Sequence, residues 1–255
     1  MVKYKLNKSH PRYLSLYYRD RLAKGVEDGI TSLQGLTAHG RGEAFDYLLG
    51  EKTYTFAKKA TEAACSLMLL SNYPVISVNG NSIILSGKEF VLLAKLFNAP
   101  LEINLFHYSA RRAKKIAGLL QKLGAEKILL PDGTEINGIK STRRMINSLG
   151  QKIADTVFVP LEDGDRTEKL ISLGKKVISV DLNPLSRTAQ KATITIIDNL
   201  VRVMPLFLKT ARLYKDKPKK ELEKIYNNYN NKASVSRAII TINKNLTKLS
   251  GKLTL

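Results

Sequence analysis

The sequence predicts an α/β protein in which helices cover both faces of a parallel sheet. Short apolar runs rich in β-branched residues are bounded by turn residues, as buried strands are; they lie at residues 74–78, 101–106, 127–130, 156–159, 177–180 and 192–197. Helical patterns separate most of these runs, and the runs are apolar throughout. This alternation is typical of a parallel sheet between two helical layers.

Composition sets the broad class of the protein. The chain has 255 residues, of which 44% are hydrophobic, so it is long and apolar enough for one or two domains with a buried core. Its apolar runs are far shorter than the roughly 20 residues that span a bilayer, and its first residues do not resemble a signal peptide. One cysteine, Cys65, excludes a disulfide framework and a CxxC metal site. We therefore expect a soluble cytoplasmic protein.

The positive charge is concentrated near the C-terminus. Residues 209–255 carry 12 Lys and Arg against three Asp and Glu, within a net charge of +20 for the chain. Nucleic acid, an anionic membrane and phosphorylated small molecules all fit a basic protein. Pro218 interrupts a helix that begins near Asn199, so residues 216–255 are predicted to form a basic, helical or loosely ordered extension.

Capping residues predict where several helices begin. N-caps are predicted at Ser9, Ser86, Ser109 and Asp165. Ser86 and Asp165 each have a glutamate three residues later, which completes a capping box. A further helix is predicted over residues 56–72. A glycine-rich segment before Glu43 reads either as a turn that starts a helix at that residue or as a loop whose amides meet an anion.

Ligands bind at the carboxyl ends of strands in such sheets. This rule selects the loops at residues 79–81, 107–109, 160–167, 181–188 and 198–199. The loop DLNPLSRT is the most specific of these, because a strand-end acid such as Asp181 often binds a ribose, and Arg187 is placed to bind a phosphate. The alternative is that Asp181 only caps the turn.

Charged residues also crowd the loop PLEDGDRT. Asp163 suits Mg²⁺ or an amine, whereas Asp165 already has the structural role of N-cap. Arg166 in the first helical turn opposes the helix dipole, which predicts a compensating anion nearby.

Three other features have both a ligand-binding and a structural interpretation. Arg41, between two glycines, could bind a phosphate, although the segment fails as a Walker A motif. The loop Asn79-Gly80-Asn81 could meet a ligand or only turn the chain. Arg19 could reach a site or remain solvated. No GxGxxG follows a strand, and the three histidines lack metal-binding spacing.

Several long motifs, in order, resemble the archaeal phosphopantothenate synthetase family. They are SHPRY at 9–13, AHGRGEAFDYLLGE at 38–51, VISVNGN at 75–81, VPLEDGDRTE at 159–168, VDLNPLSRTA at 180–189 and TITIIDNL at 193–200. The resemblance implies a Rossmann-like homodimer that joins 4-phosphopantoate to β-alanine with ATP, through an acyl-adenylate, in coenzyme A biosynthesis. It implies one ligase domain at 1–215, with N-terminal helices at 1–72 packed on it, and the extension at 216–255.

The resemblance also implies roles for individual residues. ATP would be bound by Asp181, Leu182, Asn183, Arg187, Thr188, Asn199 and Leu200, with Arg19 and Arg41 on the phosphate side. Substrate would be bound by His39, Asn79, Gly80, Asn81, Asp165 and Arg166. Mg²⁺ or the β-alanine ammonium would be held by Asp163 and Asp165. The catalytic set would be Arg19, Arg41, Asp163 and Arg187.

Two alternative functions remain open at this point. A nucleotide- or dinucleotide-binding protein without ligase activity would use the same strand-end Asp181. A nucleic-acid-binding protein would use the basic extension and lose affinity steeply with salt. We expect no membrane partner, and we favour small anions over nucleic acid because Arg41 and Arg187 lie in candidate phosphate loops.

Overall fold

A six-stranded parallel sheet organises the fold in a computed structural model that describes residues 7–253. The strands are β1 (Pro74–Val78), β2 (Leu101–Ile103), β3 (Ile128–Leu129), β4 (Thr134–Glu135), β5 (Met145–Ile146), β6 (Thr156–Pro160), β7 (Lys176–Val180) and β8 (Ile194–Ile196). The sheet order is β3-β2-β1-β6-β7-β8, and β4 and β5 form a separate antiparallel ribbon. Each predicted strand is present, and the predicted Rossmann-like α/β class is confirmed.

Ten α-helices surround the sheet within the described part of the chain. They are α1 (Tyr13–Glu27), α2 (Leu33–Leu48), α3 (Thr55–Leu70), α4 (Gly80–Leu96), α5 (Ala110–Lys122), α6 (Gly164–Ser172), α7 (Arg187–Lys191), α8 (Leu200–Tyr214), α9 (Lys219–Asn227) and α10 (Asn231–Leu253). None of these helices is both long and apolar enough to cross a membrane. The predicted N-terminal segment and C-terminal extension also include residues 1–6 and 254–255, which lie outside the described residues.

The sheet separates two hydrophobic cores. Along β6, Phe158 faces the larger core, where its ring centroid lies 6.0 Å from that of Phe90 and 5.3 Å from that of Phe207. Val157 and Val159 face the smaller core with Leu170 of α6. Successive side chains of a strand point to opposite faces. Both faces of β6 are therefore apolar, as the sequence pattern predicted.

Two predicted helix starts differ from the structure by a small shift in register. Ser109 caps α5 as predicted, and its side chain accepts a hydrogen bond from the backbone N–H of Arg112. Helix α6 begins at Gly164, so Asp163 rather than Asp165 is the N-cap. Helix α1 begins at Tyr13 and has Arg12, rather than Ser9, at its N-cap. The prediction for Asp165 was wrong because the helix begins one residue before it.

The glycine-rich segment and the Asn-Gly-Asn loop are helical, so their interpretation as turns was wrong. Helix α2 includes Gly35. The side-chain amide of Asn81 donates a hydrogen bond to the carbonyl oxygen of Gly35 at 2.8 Å. Asn79 caps α4 in a reciprocal pair with Ser82, and a Cβ at Gly80 would overlap the carbonyl oxygen of Ile30. These glycines let two chain segments approach closely. Helix α4 begins at Gly80, six residues before the predicted cap Ser86. Ser86 therefore lies inside the helix, at a kink.

The C-terminal helices pack onto the body. Helix α9 packs on α3 through the buried Leu222, and α10 contributes Val235 and Ala238 to the larger core. Asn231, at the start of α10, covers the outer edge of β8. Its Oδ1 accepts from the backbone N–H of Thr195 at 2.7 Å, and its Nδ2 donates to the carbonyl oxygen of Ala189 at 3.0 Å. An exposed sheet edge is thereby capped by a side chain.

A buried glutamate on β2 holds the segment between β3 and β6 against the sheet. Glu102 accepts hydrogen bonds from the backbone N–H of Gln151 at 2.6 Å, from its side-chain amide at 2.8 Å, and from the backbone N–H of Asn147 at 3.2 Å. Burial raises the pKa of Glu102 to about 7, against the effect of these donors and of Arg166. Between about pH 4.5 and pH 7, Glu102 in the folded protein therefore keeps a proton that a solvated glutamate would release.

We expect Asn231→Ala to destabilise the fold, because it leaves the N–H of buried Thr195 without its acceptor. An unpaired buried donor costs about 1–3 kcal/mol, so the free energy of unfolding, measured by urea denaturation, should fall by that amount. Asn227→Ala is the matched control, because Asn227 is exposed at the end of α9 and should change little. Equal stability of Asn231→Ala and the parent would show that the extension does not support β8.

We expect Glu102 to make the protein less stable as pH rises from its unfolded pKa of 4.5 to its folded pKa of about 7. In that window the unfolded carboxyl loses its proton and the folded one keeps it, so deprotonation favours unfolding, by up to about 3 kcal/mol. Denaturation curves at pH 5 and pH 7.5 measure the loss. Glu102→Gln, which cannot titrate, should lose less stability across the window; an identical loss in both proteins contradicts the assignment.

Candidate functional site

A cleft of about 550 Å³ opens at the carboxyl ends of the strands and is closed on one side by α2. From β1 the chain builds the sheet in one direction, through β2 to β3, and from β6 it builds in the other, through β7 to β8. The cleft lies at this reversal, where open α/β sheets bind ligands. The predicted site residues that line it are His39, Arg41, Asn79, Gly80, Asn81, Asp163, Asp181, Leu182, Asn183, Arg187, Thr188, Asn199 and Leu200.

Asp181 organises the loop after β7. One carboxylate oxygen accepts from the backbone N–H of Asn183 at 2.9 Å, and the other accepts from the hydroxyl of Ser186. Burial raises the pKa of Asp181, and the charge of Arg41 across the cleft opposes the rise. The carboxylate therefore has the turn-capping role that was the structural alternative, and it also lines the cleft. Each oxygen keeps one lone pair for a ligand.

Arg187 begins α7 at the rim of the cleft, and its side chain is 60% exposed. Its Nη1 lies 3.4 Å from Oε2 of Glu168, and Lys191 reaches the other oxygen of that carboxylate at 3.7 Å. Exposed pairs of this kind contribute little to stability. The guanidinium is therefore free to turn towards an anion in the cleft.

An ion-pair network joins α2 to the end of β8. Arg202 bonds to Asp46 at 2.6 Å and to Asp198 at 2.5 Å, and the side-chain amide of Asn199 donates to Asp46 at 2.8 Å. The predicted ligand residue Asn199 also caps α8. The sequence analysis missed Asp46 and Arg202, which lie 156 residues apart in the chain. Their contact fixes the wall of the cleft that α2 provides.

The loop after β6 contains a buried carboxylate between two arginines. Glu162 bonds to Arg143 and to Arg166, and Arg166 also bonds to Gln151. Arg166 is fully buried and does not line the cleft, so its predicted substrate contact is not supported. Asp165 is exposed, outside the cleft, and accepts from the N–H of Arg166 at 2.8 Å. The register of α6 explains both differences, because it turns Arg166 inwards and Asp165 outwards.

Asp163 faces the cleft at the N-cap of α6. Its Oδ2 lies 3.1 Å from Nε of Arg143, but the two are not aligned as a hydrogen bond, and this buried oxygen has no hydrogen-bond partner among the described residues. Burial raises the pKa of Asp163, despite the charge of Arg143. Residues 7–253 contain no group of three or more potential protein ligands for a metal ion. Of the two residues predicted to hold a metal, Asp163 faces the cleft and Asp165 lies outside it.

Arg19 lies on the far side of α2, in a second cavity of about 490 Å³. Its Nε donates to Oε2 of Glu43 at 2.7 Å, a hydrogen bond that raises the pKa of Arg19. His39 lines both cavities, and its buried Nε2 has no hydrogen-bond partner in the described structure. Burial lowers the pKa of His39, and the charge of Glu43 opposes this. Within one chain, Arg19 therefore lines the second cavity, and its partner Glu43 lines both cavities.

Four arginines line the cleft within the described residues, and the sequence analysis assigned two of them. Arg112 and Arg143, at the end of β2, were missed, together with the neighbouring His107. The turn at 107–109 was selected as a ligand loop, and the arginines that follow it were a signal that could have been used. Arg143 had no local signal, because it reaches the cleft from a three-residue turn, Thr142–Arg144, before β5. The lining also includes five carboxylates, so the arginines offer local contacts for anions without making the cleft positive as a whole; these carboxylates are Glu43, Glu162, Asp163, Asp181 and Asp198.

Comparisons with known proteins assign the chain to a family. Residues 56–245 match the family model described as "Phosphopantothenate/pantothenate synthetase". The matched range contains all of α9 and most of α10. A 4-phosphopantoate–β-alanine ligase of Thermococcus kodakarensis is 50% identical over 95% of this chain and 94% of its own length. Ligases of the same name from Thermococcus onnurineus and Methanosarcina mazei are 48% and 46% identical, over 96% and 95% of this chain and 95% and 96% of theirs. This chain therefore belongs to the phosphopantothenate/pantothenate synthetase family.

Proposed function

We propose that this chain joins 4-phosphopantoate to β-alanine at the expense of ATP, giving 4′-phosphopantothenate, AMP and pyrophosphate. The observation that carries the proposal is the cleft at the reversal of the sheet order, with arginines in its wall, in a chain that matches ligases of that name along nearly its whole length. A site for ATP and a phosphomonoester must hold several negative charges. The four arginines of the cleft would contact these charges, together with the proposed Mg²⁺.

The proposed reaction has two steps. A carboxylate oxygen of 4-phosphopantoate attacks the α-phosphorus of ATP, the bond to the bridging oxygen breaks, and pyrophosphate leaves with the electron pair. The amine of β-alanine then attacks the acyl carbon, AMP leaves with the electrons of the acyl–oxygen bond, and the nitrogen releases a proton to form the amide. Neither step needs a protein nucleophile, so catalysis is orientation and charge stabilisation.

ATP would occupy the β7–β8 side of the cleft. Asp181 and Asn183 offer acceptors and donors for the ribose, and the cationic Arg187 and Arg41 would face the phosphates. The remaining proposed contacts on this side are Leu182, Thr188, Asn199 and Leu200. The support is their shared position at the carboxyl ends of β7 and β8, where the lining is continuous from one loop to the next.

The proposed metal is Mg²⁺, held by Asp163 together with phosphate oxygens of ATP. When bound, it would neutralise charge on the transferring phosphate. The support is that Asp163 faces the cleft at the N-cap of α6, beside the loops proposed to hold ATP. Arg143 beside it would keep the carboxylate oriented.

4-Phosphopantoate would lie over the start of α4. The side chain of Asn79 caps α4, and the side-chain amide of Asn81 donates to the carbonyl oxygen of Gly35. Because these side chains already have partners, we propose that they shape the floor of the site. At Gly80 the start of α4 packs directly on the backbone of Ile30. His39 lines the wall above this floor.

A homodimer in the cytoplasm belongs to the same proposal, and exposed apolar side chains on α1 and α2, such as Leu14 and Leu33, offer surface that a second subunit would cover.

We expect AMP to form when the protein is incubated with ATP, Mg²⁺, 4-phosphopantoate and β-alanine, because adenylate transfer consumes one ATP per amide formed. Release of AMP is followed by chromatography. Reactions that omit either 4-phosphopantoate or β-alanine are the controls. If no AMP forms, or if AMP forms without these two substrates, the ligase proposal is wrong, and a nucleotide-binding protein without ligase activity becomes the better description.

We expect Arg187→Ala to reduce kcat/KM for ATP by roughly 10- to 100-fold, since one charge-assisted hydrogen bond to phosphate is worth about 1.5–3 kcal/mol. Lys191→Ala is the matched control: Lys191 ends the same helix, pairs with the same Glu168, and does not line the cleft. Circular dichroism checks that both variants fold. Normal turnover of Arg187→Ala, or an equal loss in Lys191→Ala, would refute the assignment of the phosphate contact.

A further inference from the structure

A chain of buried polar side chains leads from β2 to the cleft. The side-chain amide of Gln151 donates to Glu102 at 2.8 Å, and its oxygen accepts from Arg166. Arg166 bonds to one carboxylate oxygen of Glu162, and Arg143 bonds to the other. The last two members of the chain line the cleft, whereas the first three are fully buried behind it. Glu102 is therefore connected to a cleft-facing cation without lining the cleft itself.

The amide of Gln151 fixes the direction of this chain. Its nitrogen lies 2.8 Å from Oε1 of Glu102 and 3.4 Å from Oγ of Ser77, and its oxygen faces Arg166, which has donors only. A flipped amide would put its oxygen against the carboxylate and its nitrogen against the guanidinium, and both contacts would be repulsive. The ionised form of Glu102 therefore acts on Arg166 through a side chain that has one favourable orientation.

Glu102 has partners that suit its ionised form and surroundings that suit its neutral form. Its hydrogen-bond partners among residues 7–253 are all donors: the backbone N–H groups of Asn147 and Gln151 and the side-chain amide of Gln151. Burial nevertheless raises its pKa to about 7. A protonated carboxyl adds an O–H donor, for which these three groups offer no acceptor. Gain or loss of the proton near neutral pH therefore changes the contacts at the start of the chain.

Two cations from other elements face Glu102. Arg166 reaches towards it from α6, and Lys175 interacts with it from the turn before β7. The ammonium of Lys175 is bonded to the carbonyl oxygens of Lys152 at 3.0 Å and of Ala154 at 2.7 Å. Because backbone oxygens hold Lys175, Arg166 is the cation through which ionisation of Glu102 acts on the cleft.

Ionisation of Glu102 changes the charge balance around Glu162. In the neutral state of Glu102, Arg143 and Arg166 share the carboxylate of Glu162. In the ionised state, Arg166 gains a second buried carboxylate, about two strand spacings, or roughly 10 Å, from the end of β6. More of the charge of Glu162 then compensates Arg143. Asp163, 3.1 Å from Arg143, adds its charge in both states.

We propose that Glu102 is a positioning residue for the cleft: its charge state sets how strongly Glu162 holds the guanidinium of Arg143. When Glu102 is neutral, Arg143 is held less strongly and offers more of its charge to an anion in the cleft. When Glu102 is ionised, Arg143 is held more strongly and offers less. The kinetic consequence rests on the proposed ligase function, whose substrates are anions: turnover becomes less efficient as Glu102 loses its proton.

The environment of Arg143 can be followed without substrate, by nitrogen NMR of its Nε–Hε group in the full chain between pH 5.5 and pH 8.5. The resonance is identified by its absence from Arg143→Lys. We expect it to shift with a midpoint at about pH 7 in the parent and to lose this step in Glu102→Gln, because the amide copies the neutral carboxyl in having one acceptor and one donor group. Glu126→Gln is the control: it removes a carboxylate at an exposed site beside Lys95 and should leave the step unchanged.

The kinetic test compares Glu102→Gln with the parent at pH 6 and at pH 8, from the release of AMP. The two proteins should have equal kcat/KM at pH 6. At pH 8, kcat/KM of Glu102→Gln for at least one anionic substrate, ATP or 4-phosphopantoate, should be higher by roughly 3- to 10-fold, as expected for one charge acting over about 10 Å of protein. Titration of the substrates cancels because both proteins receive the same substrates. A purely structural role would change kcat/KM alike at both pH values.

Three results would overturn the proposal: no step in the Arg143 resonance of the parent near pH 7, the same step in Glu102→Gln, or a ratio of the two kcat/KM values that does not change with pH. Failure of the ligase proposal is distinguishable from these results, because the NMR measurement contains no substrate. A parent protein that shows the step but forms no AMP refutes the ligase reaction and supports the connection from Glu102 to Arg143.

Discussion

The buried carboxylate of Glu162 is the interaction on which the cleft depends. Burial acts to raise its pKa, but Arg143 and Arg166 together hold the pKa below its ordinary value, so the group stays ionised. A buried charge is tolerated only when it is paired, and here one carboxylate satisfies two cations. Arg166 reaches Gln151 beneath the sheet end, and Arg143 reaches the cleft. Glu162 thereby connects the end of β6, at the reversal of the sheet order, to the segment that contains Gln151 and to Arg143, which faces the cleft.

The strands and the ligand edge could be predicted because both depend on local signals. Short apolar runs mark buried strands, and topology then places their carboxyl-end loops together, which located Asp181 and Arg187. The direction in which a side chain points was harder to predict from the sequence. Arg166 was correctly expected to have an anion nearby, since it opposes the dipole of α6, but that anion is Glu162, four residues earlier in the same chain. A local charge pattern does not distinguish an internal counterion from a bound one.

The remaining differences come from contacts between segments far apart in sequence. The glycines near Arg41 resemble a phosphate loop, yet Gly35 lies in a helix because Asn81 packs against its backbone. Tertiary packing of this kind overrides local propensity. Asn104 holds the turn that carries Arg143 at the end of β2, and Arg19 of α1 bonds to Glu43 of α2. No window of neighbouring residues contains that information.

The side-chain amide of Asn245 donates to the carbonyl oxygen of Leu48 at 2.9 Å, across 197 residues of chain. The end of α2 therefore receives its partner only when α10 has been made. At a synthesis rate of about 5–20 residues per second, that interval lasts about 10–40 s on the ribosome. Late in this interval, after residue 200, the nascent chain holds the loops after β7 and β8, while the helix that carries Arg41 still lacks this contact. The contacts between α2 and α10 can therefore form only after the last helix has been synthesised.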